Sequence, residues 1–382
     1  GRRRVGAVAV AATPMVRGAL MSQIPPMGSP FPTGTQWTPG WPWQWPPPQS
    51  PKRGWALKWV LGVVALLAVI GLTVAVTLVV TGRGGGSSGA EATAGDGDSD
   101  IASANDTGPV SIITDDPSCA ALTAIVEFSA LQQRNGWEHR DPSIAASEWT
   151  PEVRAQHEAV AQSFRSTSDM LLPVAKTTPH RVMRELIEQV VAYSRAYADA
   201  IPNYVPANND LALTAILAGD AIDGICTTIW FDTVRRHLSA AKPSVDMPLE
   251  TASGDGDSPV MFLSKGDSVC EEWLDTWSAY NADTEKWRDT DPGIPRSQWS
   301  AEQLELNNEV APIMLESVNR IRDIARKSKN GFLRDFLHLA ALYREMYVEA
   351  ISSYLPQDKY LNAVSVRLTG MVAVACRAAS GQ

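Results

Sequence analysis

The pattern W-x3-D-P-x-I-x4-W occurs twice, from Trp137 to Trp149 and again from Trp287 to Trp299, displaced by 150 residues. The displacement persists well outside the motif. Tyr193, Tyr197, Ile201, Tyr204, Pro206, Leu211 and Cys226 stand opposite Tyr343, Tyr347, Ile351, Tyr354, Pro356, Leu361 and Cys376. A fixed period of this length means one folding unit duplicated in tandem, so the 382 residues divide into two copies and the segments around them.

Within each copy the apolar residues fall at helical spacing. Asp116-Pro117 offers a cap and an early proline ahead of a helix with Leu122, Ile125, Val126 and Ser129 on one face; its counterpart carries Val269, Trp273, Leu274 and Trp277. A second helix opens at Thr150-Pro151-Glu152 in the first copy. In the second copy it opens at Ser300-Ala301-Glu302-Gln303, where Ser300 and Gln303 make a capping box and Trp299 with Leu304 a hydrophobic staple. A third runs through Met183, Leu186, Ile187, Val190, Ser194, Tyr197 and Ile201, matched by Leu333, Phe336, Leu337, Ala340, Met346, Tyr347 and Ile351. After Pro206 and Pro356 a last apolar helix carries the second cysteine of each copy. Period-two alternation is scarce, so the predicted fold is all-α: one transmembrane helix followed by two tandem, disulfide-stapled bundles of about four helices each.

Charge is segregated along the chain. Residues 1–59 hold seven basic side chains and no acidic one, which leaves 26 basic against 42 acidic residues in the remainder. So acidic a body argues against nucleic acid as a partner, because phosphate contacts need clustered Lys and Arg. From Val60 to Val80 run 21 residues without a formal charge. About 20 such residues cross a hydrocarbon core of roughly 30 Å, and a signal peptide's apolar stretch is shorter, ~7–15 residues. Trp55 and Trp59 mark its entry edge, and Lys52, Arg53 and Lys58 precede it, whereas Glu91, Asp96, Asp98 and Asp100 follow. Basic residues stay inside, so the sequence predicts an integral, single-pass membrane protein, N-terminus in the cytoplasm and C-terminal domains outside. Residues 1–20 read as translated upstream sequence, with Met21 the expected start.

All four cysteines follow the span, two per copy at matching ends: Cys119 and Cys226, then Cys270 and Cys376. An even count outside the membrane reads as disulfides, with three possible connectivities. Pairing within each copy is the natural choice, since each duplicated unit should carry its own bridge. No C-x2-C pair supports a zinc site.

The expected boundaries are a disordered Pro/Trp-rich cytoplasmic tail (1–54), the transmembrane helix (55–81) and a flexible acidic linker (82–115). Then come helical repeat 1 (116–239), a linker (240–266) and helical repeat 2 (267–382), each repeat on its own tether.

The Trp-loop motif is the candidate binding feature. Exposed on a rigid Asp-Pro turn, Trp137, Trp149, Trp287 and Trp299 would form a contact hot spot; buried, they would pin the loop to the bundle. Catalytic signatures are missing. The five histidines (His139, His157, His180, His237, His338) do not correspond between copies, and a di-iron arrangement is approached only by Asp335-x-x-His338, with Glu185 and Glu188 at the matching places. H-E-x-x-H, G-x-S-x-G and P-loop patterns are absent. No catalytic, cofactor-binding or metal-ligating residue is assigned.

In its order of parts the chain resembles proline-rich single-pass membrane proteins of mycobacteria and related actinobacteria. The resemblance lies in MSQIPPMGSP, WPWQWPPPQSP and KRGWALKWVLGVVALLAVIGLTVAVTLVV, covers residues 21–90 and is compositional. It implies placement in the cell envelope. The expected function is extracytoplasmic, non-enzymatic binding of another protein or envelope component. The alternative is a carrier or accessory for lipid or cell-wall precursors that uses an apolar cavity between helices.

Overall fold

The computed structural model describes residues 101–239 and 258–381. The predicted tail and transmembrane helix lie outside the described residues, as do most of the first linker and residues 240–257 of the second. Among the described residues every regular element is helical.

The first copy contains α1 (Cys119–Gln132), α2 (Pro151–Thr177), α3 (Arg181–Ala200), α4 (Asn209–Trp230) and the single turn α5 (Thr233–Arg236). The second contains α6 (Cys270–Asp283), the short α7 (Glu285–Arg288), α8 (Ala301–Lys327), α9 (Gly331–Ala350) and α10 (Lys359–Ser380). Local signals set the starts. Thr150 Oγ1 accepts from the Val153 amide ahead of Pro151, and Ser300 Oγ from the Gln303 amide. The predicted capping box is only half closed, because the Gln303 side chain donates instead to the Asp291 carbonyl in the Trp loop. The bridges join Cys119 to Cys226 and Cys270 to Cys376, stapling first to last long helix in each copy.

α4 and α10 pack antiparallel along their length. Asp210 pairs with Arg377, Asp220 with Arg367, Phe231 stacks on Tyr360, and Arg236 pairs with Asp358. Equivalent residues therefore meet about a pseudo-two-fold axis near Gly219 and Gly370. At Gly224 an added Cβ would lie 2.9 Å from Val364 Cγ2, so the closeness of the two helices depends on that glycine. Pro206–Trp230 and Pro356–Ser380 are long and apolar enough to cross a membrane by length and composition, yet two thirds of each apolar window is buried inside the protein. Here that apolarity is core.

Two boundary expectations are corrected. Val110, Ile112 and Ile113, assigned to the 82–115 linker, are buried in the core, as are Phe262 and Leu263 from the 240–266 linker. These aliphatic and aromatic residues have the burial energy to dock the lead-in to each copy. Val110 and Val260, and Ile112 and Phe262, again stand 150 apart, so the duplicated unit begins before its first cysteine. The tethered arrangement is corrected too: the described part of Ser99–Gln382 falls within one compact unit with a continuous core drawn from both copies. The second lead-in crosses between the copies. Phe262 meets Tyr193 on α3 and Phe336 on α9, and the Gln189 side chain bonds the backbone of Val260 and Phe262.

Candidate functional site

Each Trp loop bridges the first two long helices of its copy and is fixed by the same bonds in both. Asp141 accepts from the Ser143 amide at 2.9 Å, and Asp291 from the Gly293 amide at 2.7 Å, closing the Asp-Pro turn. The Trp149 indole donates to the Ile144 carbonyl at 3.0 Å, and that of Trp299 to the Ile294 carbonyl at 2.9 Å. Tyr204 and Tyr354 then tie the loop to the segment entering the last helix. Their hydroxyls donate to the carbonyls of Pro142 and Pro292, while their own carbonyls accept from the Ala146 and Arg296 amides.

The remaining tryptophans have diverged. Trp137 is 1% exposed and donates to the Tyr197 hydroxyl at 2.9 Å, which also contacts His157 Nδ1 at 2.9 Å. In the second copy Asn307 replaces His157 and takes the Trp287 indole N–H directly, at 3.0 Å, on a ring that is only half-buried. The chain reaches Trp137 through Gly136 at φ 101°, a left-handed turn that the second copy lacks, having Lys286 within α7. Trp149 is buried and Trp299 half-buried. All four indoles thus brace the loops instead of standing out as a contact surface.

The electrostatics of the first-copy cluster follow from burial. The Arg140 guanidinium sits 3.3 Å over the Trp137 ring and donates to the Trp137 carbonyl and to Asn209. Burial lowers its pKa to about 10. His157, stacked on Trp149 at 3.9 Å, is pushed down to about 4, first by burial and then by the Arg140 charge, so its ring is neutral at neutral pH. A neutral ring accepting from, or donating to, a tyrosine hydroxyl inside an aromatic cluster is a packing device.

What the braced loops offer to solvent is an aliphatic rim. Ile144 (38%) is exposed on the first Trp loop and Val205 (48%) on the α3–α4 connection tied to it through Tyr204; Leu355 (38%), the counterpart of Val205, is exposed on the α9–α10 connection, and Ile294 of the second Trp loop is half-buried. Each rim lies at the N-terminal end of its last helix. Because α4 and α10 run antiparallel over 22 residues each, the rims are about 30 Å apart at 1.5 Å per residue.

The acids flagged from the sequence meet at another place. α3 and α9 cross near the pseudo-dyad and bring Glu185 against Asp335; Arg181, which has no counterpart because Gly331 takes its place, reaches Asp335 at 2.8 Å. Glu188 pairs instead with Arg184 at 2.6 Å. Sequence reasoning missed that the two copies would face each other here. Among the described residues no group of three or more His, Cys, Asp or Glu is placed to hold a metal ion. A surface cavity of about 400 Å³ beside the Cys270–Cys376 bridge is lined by Lys265, Asp267, Ser268 and Ser380 among others, with no convergence of catalytic groups.

Comparison with known proteins assigns this arrangement to a family. Residues 101–380, starting at the lead-in that packs on α3, match the family model described as Mycobacterial ESX-1 associated protein. The chain belongs to that family. It is 45% identical over 347 residues to an uncharacterized protein of Mycolicibacterium smegmatis (strain MKD8), covering 88% of this chain and 90% of that one. The family match thus spans both copies as one region, consistent with their shared core. No solved structure matches.

Proposed function

We propose that this member of the ESX-1 associated family is a non-enzymatic interaction protein of the mycobacterial envelope, contacting components of that secretion-related system. Residues 60–80 would anchor it in the membrane, with the helical unit outside. The family description supports the association; the charge step across residues 52–100 supports the orientation. One observation carries the reading: the same exposed aliphatic position, Val205 and Leu355, recurs on a rigid loop in each copy. Two like contact points on one rigid body suit a partner that presents its own surface twice, and such a pair gains by effective concentration. The carrier reading has less support, since Leu186, Ile222, Phe336 and Leu368 in the inter-helical spaces are all 0% exposed within a filled core.

The test is photo-crosslinking in intact mycobacterial cells from positions 205 and 355. Envelope or secretion-component proteins should be captured from both positions, and capture from 205 should weaken on Leu355→Asp, and from 355 on Val205→Asp, while the fold persists. Exclusively cytoplasmic captured proteins, or capture indifferent to both substitutions, would refute the reading.

A further inference from the structure

The crossing of α3 and α9 buries two carboxyl groups around one cation: the Arg181 Nε stands 2.8 Å from Asp335 and 3.8 Å from Glu185. Glu185 is 0% exposed and Asp335 2% exposed. Neither Glu185 oxygen has a hydrogen-bond partner of its own, and the acid it faces across Arg181, Asp335, is likewise an acceptor when ionised. Two buried carboxyls this close to one another disfavour the doubly ionised state and favour holding a proton. Arg181 does not remove that preference. Its Nε bonds Asp335 at 2.8 Å but stands 3.8 Å from Glu185, and its Nη1 serves the carbonyls of both Asp106 and Gly108 in the first lead-in. The same arginine thereby ties together the lead-in, α3 of one copy and α9 of the other.

We propose that Glu185 and Asp335 share one proton that latches the two copies at α3 and α9, and that losing it loosens this contact and the lead-in Arg181 holds. The charged and titratable groups around the pair are Arg181, Arg184 and Glu188 on α3, Arg334 on α9, and Asp106 in the lead-in. Arg184 is bonded to Glu188 and to Ser103, which leaves Arg181 as the cation bonded to the pair, while Arg334 and Arg184 act on it by charge alone. Burial first, and then the mutual charge of the pair, hold the Glu185 carboxyl well above its ordinary range; burial also raises Asp335, against the pull of Arg181. The sign follows. A carboxyl whose folded pKa is raised contributes fully at acidic pH, and that contribution is lost as pH rises from the ordinary glutamate range, about 4.3, through the raised value. The latch closes in acid and loosens toward alkaline pH; the α4–α10 seam has a pH dependence of its own, because burial raises Asp220 and lifts Asp223 to about 6.

The full-length protein in detergent micelles, followed by hydrogen–deuterium exchange from acidic to alkaline pH, tests this. Exchange in α3, α9 and the 101–113 lead-in should rise relative to α8, by up to about tenfold per pH unit, the limit for one released proton. Glu185→Gln, whose amide donates to Asp335 at every pH, should flatten that ratio. Infrared difference spectra should lose, above the ordinary carboxylate range, a protonated-carboxyl band that both Glu185→Gln and Asp335→Asn remove. A wild-type ratio independent of pH, an undiminished rise in Glu185→Gln, or an infrared band unchanged by either substitution would each overturn the proposal.

Discussion

Trp137 and Trp287 occupy the same place in the duplicated motif yet meet different partners, so removing them should not cost the same. Trp137 is enclosed by Tyr197, Phe164 and His157 and bonded through its N–H, whereas Trp287 is half-buried. Trp137→Ala should destabilise the protein by about 3–5 kcal/mol and Trp287→Ala by clearly less, as read by urea denaturation. His157 adds a pH dependence of opposite sign to that of the carboxyl pair. Its folded pKa, about 4, lies below its ordinary 6.5. The stability it contributes is therefore present above pH 6.5 and is lost as pH falls toward 4. Replacing it with the residue the second copy uses, His157→Asn, should flatten stability across that interval; an unchanged acid limb would show that another group titrates there. The spacing of the tryptophans was readable from the sequence, but the choice between bracing and contact was not. That choice turned on whether Tyr197, sixty residues away, would sit under the indole N–H.

At the scale of elements, the helical period, the caps at Thr150 and Ser300 and the pairing of cysteines within each copy were all legible, because each depends on neighbours in sequence or on the repeat itself. The lead-ins were not, because Val110, Ile112 and Phe262 sit among linker-like residues and gain their partners only from distant helices. The α4–α10 seam gives the sharpest element-level expectation. Gly224→Ala places a methyl group 2.9 Å from Val364, whereas at Gly219 and Gly370 the nearest atoms are 4.0 Å and 3.7 Å away. Gly219→Ala should therefore stabilise the protein by up to about 1 kcal/mol through helix propensity. Gly224→Ala should lie roughly 1–3 kcal/mol below it through overpacking, measured side by side in thermal melts.

For the whole molecule, the shared core replaces two tethered modules with one body. Differential scanning calorimetry should show a single transition for the helical unit, and reducing the bridges should lower its midpoint without splitting it. Each bridge closes a loop of sequence separation 107 or 106, for which chain entropy gives about 4.7 kcal/mol. Two resolved transitions would mean that the copies unfold apart. The sequence pointed to the duplication but carried no sign of how the copies meet, since that depends on small residues such as Gly224 at the seam.

Because Arg181 faces Asp335 while Gly331 stands where a second arginine would be, the interface between the copies is no longer self-complementary. Identical subunits related by a true dyad must accept every mutation on both sides at once. Joined in one polypeptide, the two faces have been free to specialise separately, one supplying the cation and the other the acid.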